Sequence, residues 1–150
     1  MNLNMDKNKA VSRVERSVSC FKEGFSCSQA ILSTYGQELG IDKATAFKIS
    51  APFGGGMARM GETCGAVTGA FMAIGLKHAV SKDEKEKLYS LINKFVGKFK
   101  SKNGSILCKE LLGHNIGTPE GMKAVKDKGL IDTLCPKLVK DAAEILEEIL

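Results

Sequence analysis

Apolar residues recur at three- and four-residue intervals along almost the whole chain, and no run alternates long enough to specify a strand. That periodicity admits helices packed on helices and argues against a sheet. Ala10, Val11, Val14, Val18 and Phe21 share one face opposite Arg13, Glu15 and Arg16, which predicts an amphipathic helix from Asp6 to Phe21. A second helix follows Gly24, with Ser26 as its N-cap and Ala30, Ile31 and Tyr35 buried before Gly36 weakens it. A third is capped by Asp42 and carries Phe47 and Ile49. Pro52 ends it, because a proline disfavours the helical region for Ala51 before it.

The segment from Ala51 to Gly61, APFGGGMARMG, breaks the pattern and reads as a loop whose four glycines can take positive φ. The fourth helix, from about Glu62 to His78, repeats Gly61, Gly65, Gly69 and Ala73 every four residues. This makes a flat stripe for a close helix neighbour or a bulky cofactor. Mid-helix glycine costs about 1 kcal/mol relative to alanine, so Gly65, Gly69 and Gly75 ask for a packing reason. Ser81 and Glu84 form a capping box for a fifth helix striped by Leu88, Leu91, Ile92, Phe95, Val96 and Phe99. Its acids lie at the start and its lysines at the end, complementing the helix dipole without any ligand. Ser105 opens a brief helix ending at Gly113, Thr118-Pro119 opens another that stops at Gly129, and Pro136 takes the first position of the last helix. The expectation is an all-α, single compact bundle-like domain of six to eight helices spanning residues 1–150, with 1–5 a flexible N-terminus.

Composition narrows what such a bundle does. At 150 residues, 43% hydrophobic and 26% charged, the chain has material for one core. Its net charge of +5 is interspersed along the chain, and aromatics make up 6% with no tryptophan, which argues against a nucleic-acid partner read by base stacking. The polar first ten residues lack the apolar region of a secretory signal. The longest uncharged runs, Gly24 to Gln37 and Thr63 to Leu76, are 14 residues each, short of the roughly 20 that span a bilayer. The expected setting is therefore cytoplasmic, with no membrane, where five cysteines are thiols, metal ligands or redox groups before they are structural disulfides.

Helix phasing sorts those five. Cys27 follows the cap Ser26, Cys64 follows Gly61-Glu62-Thr63, Cys108 lies three residues after Ser105, and Cys135 precedes Pro136, so each falls in or beside a first turn. First-turn amides and the helix dipole favour a thiolate there, the form that ligates metal or attacks a disulfide. Cys20 falls near the end of the first helix, where the dipole disfavours an anion, and is set aside as a spectator. No C-x-x-C joins any two cysteines, so a zinc knuckle, a thioredoxin-like pair and haem attachment lack their local signature. Converging helix N-termini can hold a four-cysteine site for an iron–sulfur cluster or another thiophilic metal, or can supply redox-active pairs; inert core thiols are the third reading.

Cys64 to Gly69 reads CGAVTG. It is preceded by GGGMARMGET, with one upstream cysteine in FSCSQAIL and two downstream in ILCKELLG and TLCPKLV. This resembles the family of small redox-active bacterial proteins named C-GCAxxG-C-C for its cysteines, over about Gly24 to Leu138. The family name writes Gly before Cys, whereas here Cys64 precedes Gly65. Position by position, the resemblance implies Cys27, Cys64, Cys108 and Cys135 as both the reactive and the metal-ligating set, and it leaves Cys20 outside. It implies a redox role, served either through a bound cluster or through thiols cycling with disulfides. A related domain occurs in some multihaem cytochromes, but this chain has no C-x-x-C-H, so haem is not expected.

Other groups supplement this set. Gly54, Gly55 and Gly56 with Arg59 can form an anion or cofactor site from loop amides and a guanidinium, or simply turn the chain; the ligand reading sets this loop over the cysteine pocket. It is neither a P-loop nor a dinucleotide fingerprint. His78 reads as structural. His114, near Cys108, is the outside choice for a proton donor or extra ligand, and Lys109 adjoins Cys108 but faces away from it. The leading expectation is a cysteine-based oxidoreductase or electron-transfer protein with Cys64 as its key residue. The alternative is a non-catalytic soft-metal carrier or sensor. The expected partners are a redox protein or a small thiol or metal substrate, and a homodimer is allowed.

Overall fold

The computed structural model describes residues 11–79 and 81–150. Its helices are α1 (Arg13–Lys22), α2 (Cys27–Gly36), α3 (Lys43–Ser50), α4 (Gly65–His78), α5 (Lys85–Asn103), α6 (Cys108–Leu112), α7 (Pro119–Asp127), α8 (Leu130–Thr133) and α9 (Cys135–Ile149), with one further helical turn over Gly54–Met57 that left-handed Gly55 and Gly56 interrupt. Among the described residues the only β-type pairing is one isolated antiparallel bridge between Thr63 and Leu107, so the all-α bundle expected from periodicity is the fold.

Caps set most of the boundaries. Ser12 accepts the amide of Glu15 at 3.1 Å and starts α1 at Arg13, leaving Val11 exposed instead of on the buried face. The expected positions 6–10 of that helix, and the 1–5 terminus, lie outside the described residues. Ser26 and Gln29 close a reciprocal capping box on α2, while Asp42 and Thr118 cap α3 and α7 as expected. Four expectations are corrected. Helix α3 does end just before Pro52, at Ser50, but Ala51 keeps helical angles and begins a 3-10 turn through Phe53 instead of being pushed out of the helical region. Helix α4 starts at Gly65, not Glu62, because the preceding residues pair with the 106–109 segment instead. Ser81 makes no side-chain cap, and a 3-10 turn over Lys82–Glu84 precedes α5. Leu107, not Ser105, is the N-cap of α6; the Ser105 hydroxyl accepts the Leu107 amide at 3.0 Å.

The main core joins α2, α4, α5 and α9 through Ile31, Tyr35, Val67, Ile74, Phe95, Phe99, Val139 and Leu146, all 1% exposed or less. Burying a side chain of this size is worth about 1.5–3 kcal/mol. A second, smaller cluster of Cys108, Leu112, Ile116 and Val125 gathers α6 and α7. The glycine stripe of α4 has its packing reason in α2: a methyl on Gly69 would lie 2.9 Å from the Ser28 carbonyl oxygen, and one on Gly65 3.2 Å from Cys27 Cβ. Gly75 faces open space and has no such reason. Away from the cysteines, the Arg13 guanidinium donates to both carboxylate oxygens of Glu147 and to Glu38. It also stacks 5.0 Å over the Tyr35 ring, whose hydroxyl donates to Ala143 O and Glu147 Oε1, tying α1, α2 and α9 together.

Candidate functional site

The two apolar clusters meet at a seam, and the four first-turn cysteines sit on it. Cys64 belongs to the main core and Cys27 packs against it; Cys108 belongs to the second cluster and Cys135 packs against that. Cys27, Cys108 and Cys135 are the first residues of α2, α6 and α9, and Cys64 is the N-cap residue of α4. Pro136 is displaced to the second helical position, which puts Cys135 where the proline was expected. All five cysteines are free thiols. Cys64 and Cys108 are buried, while Cys27 and Cys135 are half-buried.

Backbone pairing brings Cys64 and Cys108 to one place. The Cys64 amide donates to the Ile106 carbonyl at 2.7 Å, and the Cys108 amide donates to the Glu62 carbonyl at 2.7 Å, flanking the Thr63–Leu107 bridge. Cys27 arrives from the other side through the α2–α4 contact at Gly65. All four cysteines line one cavity of about 920 Å³.

Their electrostatics divide them. Hydrogen bonding to Cys135 and Cys64 holds the Cys27 proton and raises its pKa well above that of an ordinary thiol, with burial adding to the effect. The same interaction lowers Cys64, whose sulfur is also favoured as an anion by the amides of Ala66 and Val67 in the first turn of α4; burial opposes both. Cys135 is lowered chiefly by Cys27, against burial and the nearby charges of Cys64 and Asp132. Burial, with the neighbouring Cys64 and Cys135 charges, pushes Cys108 up to about 12. The cavity therefore holds two thiols shifted toward the thiolate, Cys64 and Cys135, and two shifted away from it, Cys27 and Cys108.

The glycine loop closes one wall. Gly54, Gly55, Gly56 and Arg59 line the same cavity as the cysteines, and a methyl on Gly56 would lie 2.7 Å from Cys108 Cβ. Gly55 and Gly56 have φ of 68° and 67°, within the expected freedom of glycine. Sequence reasoning missed that Met57, Ala58 and Arg59 continue in the left-handed region, at φ of 68°, 51° and 66°. Each non-glycine residue there costs roughly 1–2 kcal/mol. No local signal marks them; the cross-loop bonds from Gly61 N to Gly55 O and from Glu62 N to Gly56 O hold them so. The rim also includes Lys22, Lys126 and Asp132, which sequence reasoning assigned no role because they lie at or beside helix ends.

The other expected groups lie elsewhere. Cys20 is in the main core with its sulfur 3.7 Å from Ser33 Oγ and is absent from this cavity's lining. His114 is 3.0 Å from Lys128 Nζ through Nε2 and does not line the cavity; Lys109 pairs with Glu62 at 3.9 Å. His78 is near the end of α4, where burial lowers its pKa. Among the described residues no group of three or more His, Cys, Asp or Glu side chains is arranged to hold a metal ion, and no helix is long and apolar enough to cross a membrane.

Comparison with curated proteins and with solved structures gives no match. The family model described as "Putative redox-active protein (C_GCAxxG_C_C)" matches residues 25–149, a span that contains Cys27, Cys64, Cys108 and Cys135 and leaves out Cys20. With most of its length under that match, the chain belongs to the C_GCAxxG_C_C family of redox-active proteins.

Proposed function

We propose that the protein is a thiol–disulfide oxidoreductase in which Cys64 attacks and Cys27 resolves. The supporting observation is that both cysteines line one cavity where α2 meets α4, a methyl on Gly65 lying 3.2 Å from Cys27 Cβ, with Cys27 shifted upward by Cys135 and Cys64 and Cys64 shifted downward by Cys27. The Cys64 thiolate attacks one sulfur of a substrate disulfide; a Cys64–substrate S–S bond forms, the substrate S–S bond breaks, and one half leaves as a thiolate. The Cys27 proton passes to that thiolate. Cys27 then attacks the Cys64 sulfur and expels the second half, which takes up a proton from solvent. Two electrons pass from the cysteine pair to the substrate, leaving a Cys27–Cys64 disulfide that an external dithiol reduces. Cys135, the largest influence on the Cys27 pKa, lines the same cavity, and Cys108, raised chiefly by burial, takes no part in the exchange.

Mild oxidation of the reduced protein with one equivalent of diamide, followed by peptide mapping, tests this. The expected product is an intramolecular Cys27–Cys64 disulfide, lost in Cys64→Ser. Recovery of five free thiols, or of linkages spread over all cysteines, overturns it.

A second reading rests on the four cysteines sharing one cavity. Their thiolate chemistry suits an iron–sulfur cluster or another thiophilic metal, which would supply one-electron transfer or metal storage. Among the described residues the cysteines as they stand form no ready ligand group, so this reading requires them to rearrange. Anaerobic purification with iron and acid-labile sulfide analysis separates the two: stoichiometric iron and sulfide establish the cluster, and zinc or copper alone establishes a carrier.

A further inference from the structure

The cysteine cavity has the size of a small-molecule site, since such sites enclose about 300–1,000 Å³. Its walls include Phe25, Leu111, Ile116 and Ile131, too apolar to attract a charged molecule. Its exposed rim is different. Lys22 at the end of α1, Arg59 on the left-handed turn and Lys126 near the end of α7 bring three cations from three separate segments, and Asp132 is the one acid in the lining. Among the described residues none of the three cations is ion-paired with an acid. Arg59 is also folded back over the loop, with its Cγ 2.9 Å from where a methyl on Gly55 would lie. Like-signed charges around a cleft with apolar walls focus the field into it.

We infer that this cavity takes a small disulfide bearing carboxylates, held by Lys22, Arg59 and Lys126 while its sulfurs face Cys64. The inference rests on the thiol–disulfide reading and names its substrate class. A thiolate and an anionic disulfide repel one another in water; three cations at the mouth reverse that repulsion without touching the sulfurs. The electron balance is that of the exchange above: the substrate leaves as two carboxylate-bearing thiols, and the Cys27–Cys64 disulfide remains.

Single-turnover oxidation of the reduced protein by three disulfides of similar dialkyl skeleton tests it: dithiodipropionate with two negative charges, hydroxyethyl disulfide with none, and cystamine with two positive charges. The native protein should react with the dianion at least ~10-fold faster than with the dication, the scale of electrostatic steering, and 1 M salt should shrink that ratio. Replacing Lys22, Arg59 and Lys126 by Gln together should narrow the spread among the three. Rates ranked as in the urea-unfolded chain overturn the substrate class but leave the exchange standing. If the native protein reacts with none while the unfolded chain reacts with all, the exchange reading itself fails. The charge and salt series needs only the unmodified protein, so the inference stands or falls without the variant.

Discussion

Cys64 and Cys27 meet where α4 packs on α2: a methyl on Gly65, the residue after Cys64, would lie 3.2 Å from Cys27 Cβ. While Cys135 and Cys64 raise the Cys27 pKa, Cys27 lowers that of Cys64, with the first-turn amides of α4 acting in the same direction. Removing Cys27 removes the largest of the influences that lower the Cys64 pKa. In Cys27→Ala the pH midpoint for alkylation of Cys64 should rise, so that at a fixed pH near 7 its modification slows. Rapid iodoacetamide labelling across pH 6–10, read at the Cys64 peptide, measures it; an unmoved midpoint would show that the helix amides alone set the thiolate.

Cys108 should behave oppositely within the same cavity. With its pKa pushed up to about 12, chiefly by burial, Cys108 carries little thiolate at pH 8, and the thiolate is the reactive form. Native-state labelling at that pH should modify Cys64 and Cys135 well before Cys108. Equal rates at all three would contradict the assignment.

Two glycines of α4 should respond with opposite signs to the same substitution. Gly69→Ala drives a methyl to 2.9 Å from the Ser28 carbonyl oxygen and 3.1 Å from Ile31 Cβ, and should destabilise by about 1–3 kcal/mol. Gly75→Ala meets open space within a helix and should stabilise by about 1 kcal/mol. Urea unfolding midpoints of the two variants decide this.

The Arg13–Glu147–Tyr35 network makes stability depend on pH. Hydrogen bonding from Arg13 holds Glu147 below the usual carboxylate range, so its contribution is present above the unfolded-state pKa and is lost as pH falls through the lower folded value. Glu147→Gln should be less stable than the parent at pH 6 and converge with it under acid conditions. Tyr35→Phe should cost about 1 kcal/mol at neutral pH, the worth of a buried hydrogen bond. Denaturant unfolding from pH 3 to 7 measures both.

Much of this arrangement was legible before the structure. Ser26, Asp42 and Thr118 announce helix starts because a short polar side chain followed by helical spacing has one cheap use. That same phasing put Cys27, Cys64, Cys108 and Cys135 in or beside first turns. What escaped were relations made only across the chain. The Thr63–Leu107 bridge is a single residue pair with no alternation to betray it, and it moved the start of α4. Met57, Ala58 and Arg59 have ordinary side chains in an unusual backbone conformation, imposed by bonds to residues on both sides of the turn. Ser81 has the residue pattern of a capping box and makes none, since the chain enters α5 through a 3-10 turn. The Lys22 and Lys126 side chains matched helix-dipole logic locally while their place on a common rim depends on tertiary packing.

The lone bridge also bears on when the site comes into being. Cys64 and Cys108 are joined through main-chain bonds between segments far apart in sequence, and Cys135 comes later still in the chain. Closing so long a loop has an entropic cost that local helix formation does not offset, so the Cys64–Cys108 pairing depends on contacts distant in sequence. A nascent chain that has emerged only through α5 carries Cys27 and Cys64 without their later neighbours. Such a chain already holds the pair proposed to attack and resolve; what it lacks is Cys108, Cys135 and the cavity walls that α6 to α9 add.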